Sequence, residues 1–241
     1  MSKVGRMAEA DVRPVIFQVL EGLHHMHREG FAHRDIKPGV GGASLKRYLC
    51  RLTNRRPQNV LIKSQPPQSG WWVKLSDFGI SKRIEGAMEM LSTVKGTPPY
   101  MAPELLTHEP GSKVEVDHRA ADMWSLGEMA YRMLTRTATF SSMPALFRYV
   151  MWPDLFPSQE LAKHGVSGGA ETFIRVLMKP TPENRLTSGK AMEHAWIQPC
   201  TNFGEMSAVA RTSSLEYAIF LFFFSLSSPL SLPTIACSPS G

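Results

Sequence analysis

Five clusters of chemistry-capable residues follow one another in a chain of 241 residues. The first is His33-Arg34-Asp35-Ile36-Lys37-Pro38, continued after an interval by Asn59-Val60-Leu61-Ile62. Asp77-Phe78-Gly79 comes next, then Gly96-Thr97-Pro98-Pro99-Tyr100-Met101-Ala102-Pro103-Glu104. Asp122-Met123-Trp124-Ser125-Leu126-Gly127 and Pro182-Glu183-Asn184-Arg185-Leu186 complete the series. Carboxylates accept protons and, with amide oxygens, supply the hard donors that Mg²⁺ requires. A lysine among them adds a compact positive charge.

Any one cluster could arise by chance, but the ordered set resembles the eukaryotic protein kinase family. The resemblance covers roughly residues 8–200, the C-terminal lobe. It implies a mainly α fold with minor β, protein-kinase-like, with the N-lobe missing. It also implies transfer of the ATP γ-phosphoryl group to a protein Ser/Thr, a reaction that rests on positioning and charge neutralisation. On that resemblance Asp35 accepts or orients the proton of the attacking hydroxyl, and Lys37 sits near the transferred group. Asn59 and Asp77 are then the Mg²⁺ ligands, and Leu61 lies beneath the adenine ring. A lysine two residues after the catalytic aspartate resembles the serine/threonine branch. Thr97 supports that branch and is expected to bond the catalytic aspartate. The Gly96–Glu104 run and the His194–Ile197 segment are most similar to the calcium/calmodulin-type kinases and related fungal-looking kinases.

Other matched residues are architectural. Asp122 is expected to lie buried and bond the backbone near His33 and Arg34. Glu104 is expected to pair with Arg185, an ion pair whose one-sided loss costs ~3–5 kcal/mol. His33 and Phe78 match the stack that links the lobes. Arg34 suggests control by a phosphate on the activation loop, since phosphate can order a loop through arginine. Ser92 and Thr93 lie in the right stretch, as phosphosites or as ordinary polar loop residues.

These residues need a scaffold. Val12, Ile16, Val19, Leu20 and Leu23 recur at helical spacing within 11–29, with Asp11 as a cap and Gly30 as a stop. Val60–Ile62 and Trp72–Leu75 are β-prone, separated by a Pro/Gly/Ser-rich turn at 64–70. Asp117–Leu134 reads as an apolar-rich helix, followed by helical pieces near 143–150, 170–178 and 188–196. His24, His25 and His27 fall at a helix C-terminus, where positive charge is favoured, and suit that role better than a metal cluster. Gly39, Gly41 and Gly42 follow the catalytic loop and lack the strand setting of a phosphate-cradling loop. Trp71 and Trp72 read as packing residues.

The chain departs from the family in three places. No Gly-rich loop, strand lysine or partner glutamate precedes residue 11, so a truncated gene model or a fragment is expected. Asp35 and Asn59 stand 24 residues apart; removing 39–57 restores the family spacing, and a retained intron would explain the segment. Closing a loop of that size costs only about 2.6 kcal/mol, so its hazard is geometric. Phe220–Pro233 contains only Phe, Leu, Ser and Pro, as a translated polypyrimidine stretch would. Tyr217–Cys237 is long enough for a membrane anchor but is weakened by Pro229, Pro233 and serines. The expected organisation is a kinase C-lobe over 1–204, with an atypical insertion at 39–57, and a low-complexity tail over 205–241.

The net charge of +6 is local: 39–57 holds five basic residues and no acid, leaving 22 basic against 21 acidic elsewhere. That argues against a nucleic-acid partner. Three scattered cysteines form no metal or disulfide pattern, and a cytoplasmic or nuclear setting is expected. The resemblance implies a protein substrate as the partner. The competing function is a catalytically inactive kinase fragment that acts as a protein-binding module.

Overall fold

A computed structural model describes residues 7–36, 60–64, 70–75, 82–83, 101–107 and 116–201. Helix α1 spans Glu9–Arg28. Its residues Val12, Val15, Ile16, Val19, Leu20 and Leu23 are buried along one face. Burial of that stripe sustains the helix through Pro14, which withholds an N–H from the Ala10 carbonyl. The helix begins two residues before its predicted start. Ala8 occupies the cap position without a side-chain bond, and Asp11 instead accepts a hydrogen bond from Trp71 Nε1 at 3.0 Å. Glu9 and Asp11 place negative charge in the first turn, which favours the free N–H groups there without a formal cap. Gly30 ends the helix with φ +79°, a left-handed conformation open to glycine.

Four short strands follow: β1 (Phe31–Ala32), β2 (Val60–Ser64), β3 (Trp72–Leu75) and β4 (Lys82–Arg83). Strands β1 and β4 pair antiparallel, Phe31 opposite Arg83 and Ala32 opposite Lys82. Strands β2 and β3 form an antiparallel ladder with Val60 opposite Leu75, Leu61 opposite Lys74 and Ile62 opposite Val73, irregular between Ile62 and Ser64. Gln18, set in the apolar face of α1, ties the helix to this hairpin. Its Nε2 donates to the Trp71 carbonyl at 2.8 Å, and its Oε1 accepts the Val73 N–H at 2.9 Å. The edge of β3 is thereby satisfied.

The rest is helical: α2 (Pro103–Thr107), α3 (His118–Thr135), α4 (Met143–Met151), α5 (Ser158–Lys163), α6 (Gly168–Leu177), α7 (Ser188–Met192) and α8 (Gln198–Thr201), with 3₁₀ turns at Pro153–Leu155 and Pro182–Asn184. Asp117 caps α3, accepting the Arg119 and Ala120 N–H groups at 2.9 and 3.2 Å. Helix α3 is buried on nearly every side, the mark of a central helix; it packs on α1 and α6. Gly127 permits the α6 approach, because a Cβ there would meet Met178 Cγ at 2.5 Å. Trp124, Phe140, Tyr149 and Phe156 form an aromatic cluster beside it, with Phe140 and Tyr149 stacked at 4.9 Å. Helix α7 is shorter than the predicted 188–196. His194 Nδ1 accepts the Trp196 N–H at 3.2 Å, so a side chain competes for a backbone donor.

The described elements up to Cys200 belong to one compact unit. Among the described residues no helix is long and apolar enough to cross a membrane. The 39–57 segment, Ser92, Thr93 and the Tyr217–Cys237 stretch lie outside the described residues.

Candidate active site

The turn after β1 carries His33, Arg34 and Asp35, and a buried carboxylate on α3 holds it. Asp122, 1% exposed, accepts the His33 N–H on Oδ2 and the Arg34 N–H on Oδ1, each at 2.7 Å. His27 Nε2, from α1, lies 3.0 Å from the same Oδ2. An ionised carboxylate only accepts, so Nε2 is the protonated ring nitrogen in this contact. Three donors on one carboxylate offset its desolvation. They also hold a strained backbone: Arg34 has φ +73°, a left-handed conformation that costs a bulky residue ~1–3 kcal/mol. Asp35 follows directly and is half-buried, while His33 and Ile36 on either side are fully buried. Burial pushes the Arg34 guanidinium pKa down, against the opposing charge of Asp122.

The two sheets flank the other motifs in the chain. The β1–β4 pairing sets Lys82, three residues past Gly79, opposite Ala32, immediately before His33. The β2–β3 ladder pairs Val60, which follows Asn59, with Leu75, two residues before Asp77. Leu61 stands in β2 opposite Lys74. Lys37, Asn59, Asp77, Phe78 and Thr97 themselves lie outside the described residues.

A second buried centre fixes the end of the Gly96–Glu104 motif. Arg185 pairs with Glu104 through two parallel bonds of 2.6 and 2.7 Å. The same guanidinium donates to the Lys179, Pro180 and Ala120 carbonyls at 2.7, 3.0 and 3.1 Å. It also lies over the Trp124 ring, 4.9 Å from its centroid. This bidentate geometry suits an arginine and not a lysine.

Several residues outside the sequence motifs prove structural. Glu9 accepts the Ser167 N–H and hydroxyl at 2.8 and 2.7 Å and Trp196 Nε1 at 2.7 Å. Burial raises the Glu9 pKa, but those bonds outweigh it and hold the carboxyl below its ordinary value. Gln18 was legible as a polar residue inside an apolar helix face; Glu9 carried no such signal. His24 faces Ser188 Oγ at 3.4 Å, and burial pushes its pKa down.

Comparison with known proteins fits this geometry. The protein kinase domain model matches residues 55–197, and the chain belongs to the protein kinase family, in its serine/threonine branch. It is 32% identical over 191 residues to serine/threonine-protein kinase 17A of Oryctolagus cuniculus, covering 78% of this chain and 41% of that one. It is 32% identical over 197 residues to serine/threonine-protein kinase cds1 of Schizosaccharomyces pombe, covering 80% and 37%. A probable myosin light chain kinase of Dictyostelium discoideum is 35% identical over 196 residues, covering 80% and 48%. The chain therefore spans less than half the length of these curated relatives. The Rad53 kinase domain with SCD2, solved in complex with AMPPNP, superposes with TM-score 0.56 at 26% identity, covering 81% of this chain and 62% of that one.

Proposed function

We propose that residues 1–204 form the catalytic lobe of a serine/threonine protein kinase that moves the γ-phosphoryl group of ATP to a Ser or Thr hydroxyl of a protein, with 205–241 a low-complexity tail. The observation that carries this reading is the Asp122 carboxylate bound to both peptide N–H groups ahead of Asp35. A catalytic carboxylate must be held in place before substrate arrives, and a clamp on the two peptides ahead of Asp35 supports that role. Asp35 then accepts or orients the proton of the attacking hydroxyl, and Lys37 neutralises charge on the transferred group. Asn59 and Asp77 are the proposed Mg²⁺ ligands, Leu61 the residue beneath adenine, and Thr97 the partner of Asp35. The β2–β3 register supports the metal pair, since it ends at Val60 and Leu75, one and two residues from them in the chain. An amide and a carboxylate are donors that suit Mg²⁺. Bound Mg-ATP supplies the phosphoryl group and most of the charge neutralisation. The AMPPNP complex of the Rad53 kinase domain supports a nucleotide of this kind. The partner is a Ser/Thr-containing protein, with no nucleic acid, in the cytoplasm or nucleus.

The 19 residues between Pro38 and Gln58 favour a second reading, a catalytically inactive binding module. Melting with millimolar Mg-ATP separates the two. A ligand at a hundredfold excess over its Kd adds ~2.7 kcal/mol. For a domain of this size that raises Tm by roughly 5–10 °C. An unchanged Tm supports the binding module.

A further inference from the structure

A cleft of about 570 Å³ opens beside the last turn of α6 and the 3₁₀ turn Pro182–Asn184. Its volume falls within the range of small-molecule sites. Val150, Pro153, Val176 and Pro180 give it an apolar wall, and Arg175, Lys179, Thr181 and Asn184 bring polar side chains to it.

The C-terminal end of a helix carries partial negative charge and leaves its last carbonyls open, a setting that repels anions. Here those oxygens are engaged from within the fold. The Leu186 N–H donates to the Val176 carbonyl at 3.3 Å. The Tyr149 hydroxyl donates to the Met178 carbonyl at 2.8 Å. Arg185 donates to the Lys179 and Pro180 carbonyls at 2.7 and 3.0 Å, and the Asn184 N–H to the Thr181 carbonyl at 3.1 Å.

The side-chain donors are open. Lys179, Thr181 and Asn184 are exposed. The Lys179 amine, the Thr181 hydroxyl and the Asn184 amide have no hydrogen bond or ion pair among the described residues. Arg175 is braced over the Phe156 ring, 5.6 Å from its centroid, and meets Glu171 at 3.7 Å, a surface pair that contributes little. Glu171 is the one acid among the described lining residues, against two cations. Burial pushes the Tyr149 pKa up to about 12, and the charges of Arg175 and Arg185 oppose it, so both guanidiniums act on the cleft wall that Tyr149 forms.

Donors and positive charge beside an apolar wall define the occupant by its chemistry. A phosphate group has three terminal oxygens that accept charge-assisted hydrogen bonds, enough to engage Lys179, Arg175 and Thr181 together. The apolar wall leaves a place for an ester arm. A peptide backbone suits the cleft less well, since its own N–H groups need acceptors and the carbonyls of this turn are engaged. We propose that the cleft binds a small phosphate monoester, with the phosphate at Lys179 and Arg175 and the ester arm against Val150, Pro153 and Val176. Asp35 does not line the cleft, and the binding stands whether or not the chain transfers phosphate.

The probe is phenyl phosphate, titrated calorimetrically into the full chain. A Kd below about 1 mM is expected. Lys179→Ala is expected to weaken binding at least fivefold with an unchanged Tm, since its amine has no partner to lose. Arg175→Gln should weaken it at least tenfold, and both differences should shrink at high salt. Benzoate should bind at least tenfold more weakly than phenyl phosphate, and inorganic phosphate several-fold more weakly. No binding at millimolar probe, binding unchanged in Lys179→Ala, or equal affinity for benzoate or inorganic phosphate overturns the proposal. So does a phosphotyrosine peptide that binds more than tenfold more tightly than phenyl phosphate, which would assign the cleft to a protein partner.

Discussion

Asp122 and Glu128 lie six residues apart on α3, both buried, yet their partners differ in kind. The Asp122 donors come from 88, 89 and 95 residues away in sequence. The partners of Glu128 are local: Arg132, one turn on, donates through Nε, and the Thr139 N–H approaches its two oxygens at 3.4 and 3.3 Å. Burial raises the Glu128 pKa, and Arg132 and Thr139 only partly oppose it. Both carboxylates are desolvated; Asp122 fixes the backbone of a segment remote in the chain, and Glu128 only that of the loop following its own helix. A buried charge becomes an anchor when its donors belong to the element that must be placed.

The sharpest way to break this comparison is Asp122→Ala. It strands two peptide N–H groups and His27 and leaves the left-handed Arg34 unsupported, so urea unfolding should show a loss of about 4 kcal/mol. A loss no larger than that of Glu128→Gln would end the distinction. Arg185→Ala follows at about 3 kcal/mol, since Glu104 would keep a buried charge without its cation. A double-mutant cycle with Glu104→Ala should show strong coupling between the two. Gly127→Ala should cost about 2 kcal/mol, because Met178 must move from a packed position.

Smaller effects sharpen the comparison through pH. The Glu128 pKa is raised in the fold from 4.5, so the folded state holds its proton more tightly. That stability is present at acid pH and is lost as pH rises from the unfolded value through the folded one. Glu128→Gln should therefore gain on the parent chain as pH climbs above about 4.5. The Glu9 pKa is lowered from the same value. Its contribution is present above the unfolded pKa and lost as pH falls through the folded one, so Glu9→Gln should flatten the acid limb instead. Urea midpoints between pH 3 and 7 read both; slopes of the same sign would contradict the assignment.

Much of this was legible in the sequence. The stripe of α1, the ladder residues Val60–Ile62 and Trp72–Leu75, and the apolar-rich helix over Asp117–Leu134 follow from residue pattern; the Asp117 cap of α3 was seen only in the structure. Asp122 and the Glu104–Arg185 pair were named through family resemblance, and their contacts stand in the structure. Periodicity could not find α5, which is six residues long, or β1 and β4, which are two each. Asp11 reads locally as a cap, yet a tryptophan 60 residues on takes its oxygen. Glu9 looks like an ordinary first-turn acid until Ser167 and Trp196 are brought to it by the fold. Such contacts depend on tertiary packing, which no local pattern encodes.

The most direct test of the account is phosphate transfer from Mg-ATP to a Ser/Thr peptide library, measured for the native chain and for Asp35→Asn at equal Tm. The account predicts incorporation on serine and threonine by the native chain and a fall of about 10²–10⁴-fold in the variant. Incorporation that survives Asp35→Asn, or none from a native chain that Mg-ATP stabilises, would contradict it.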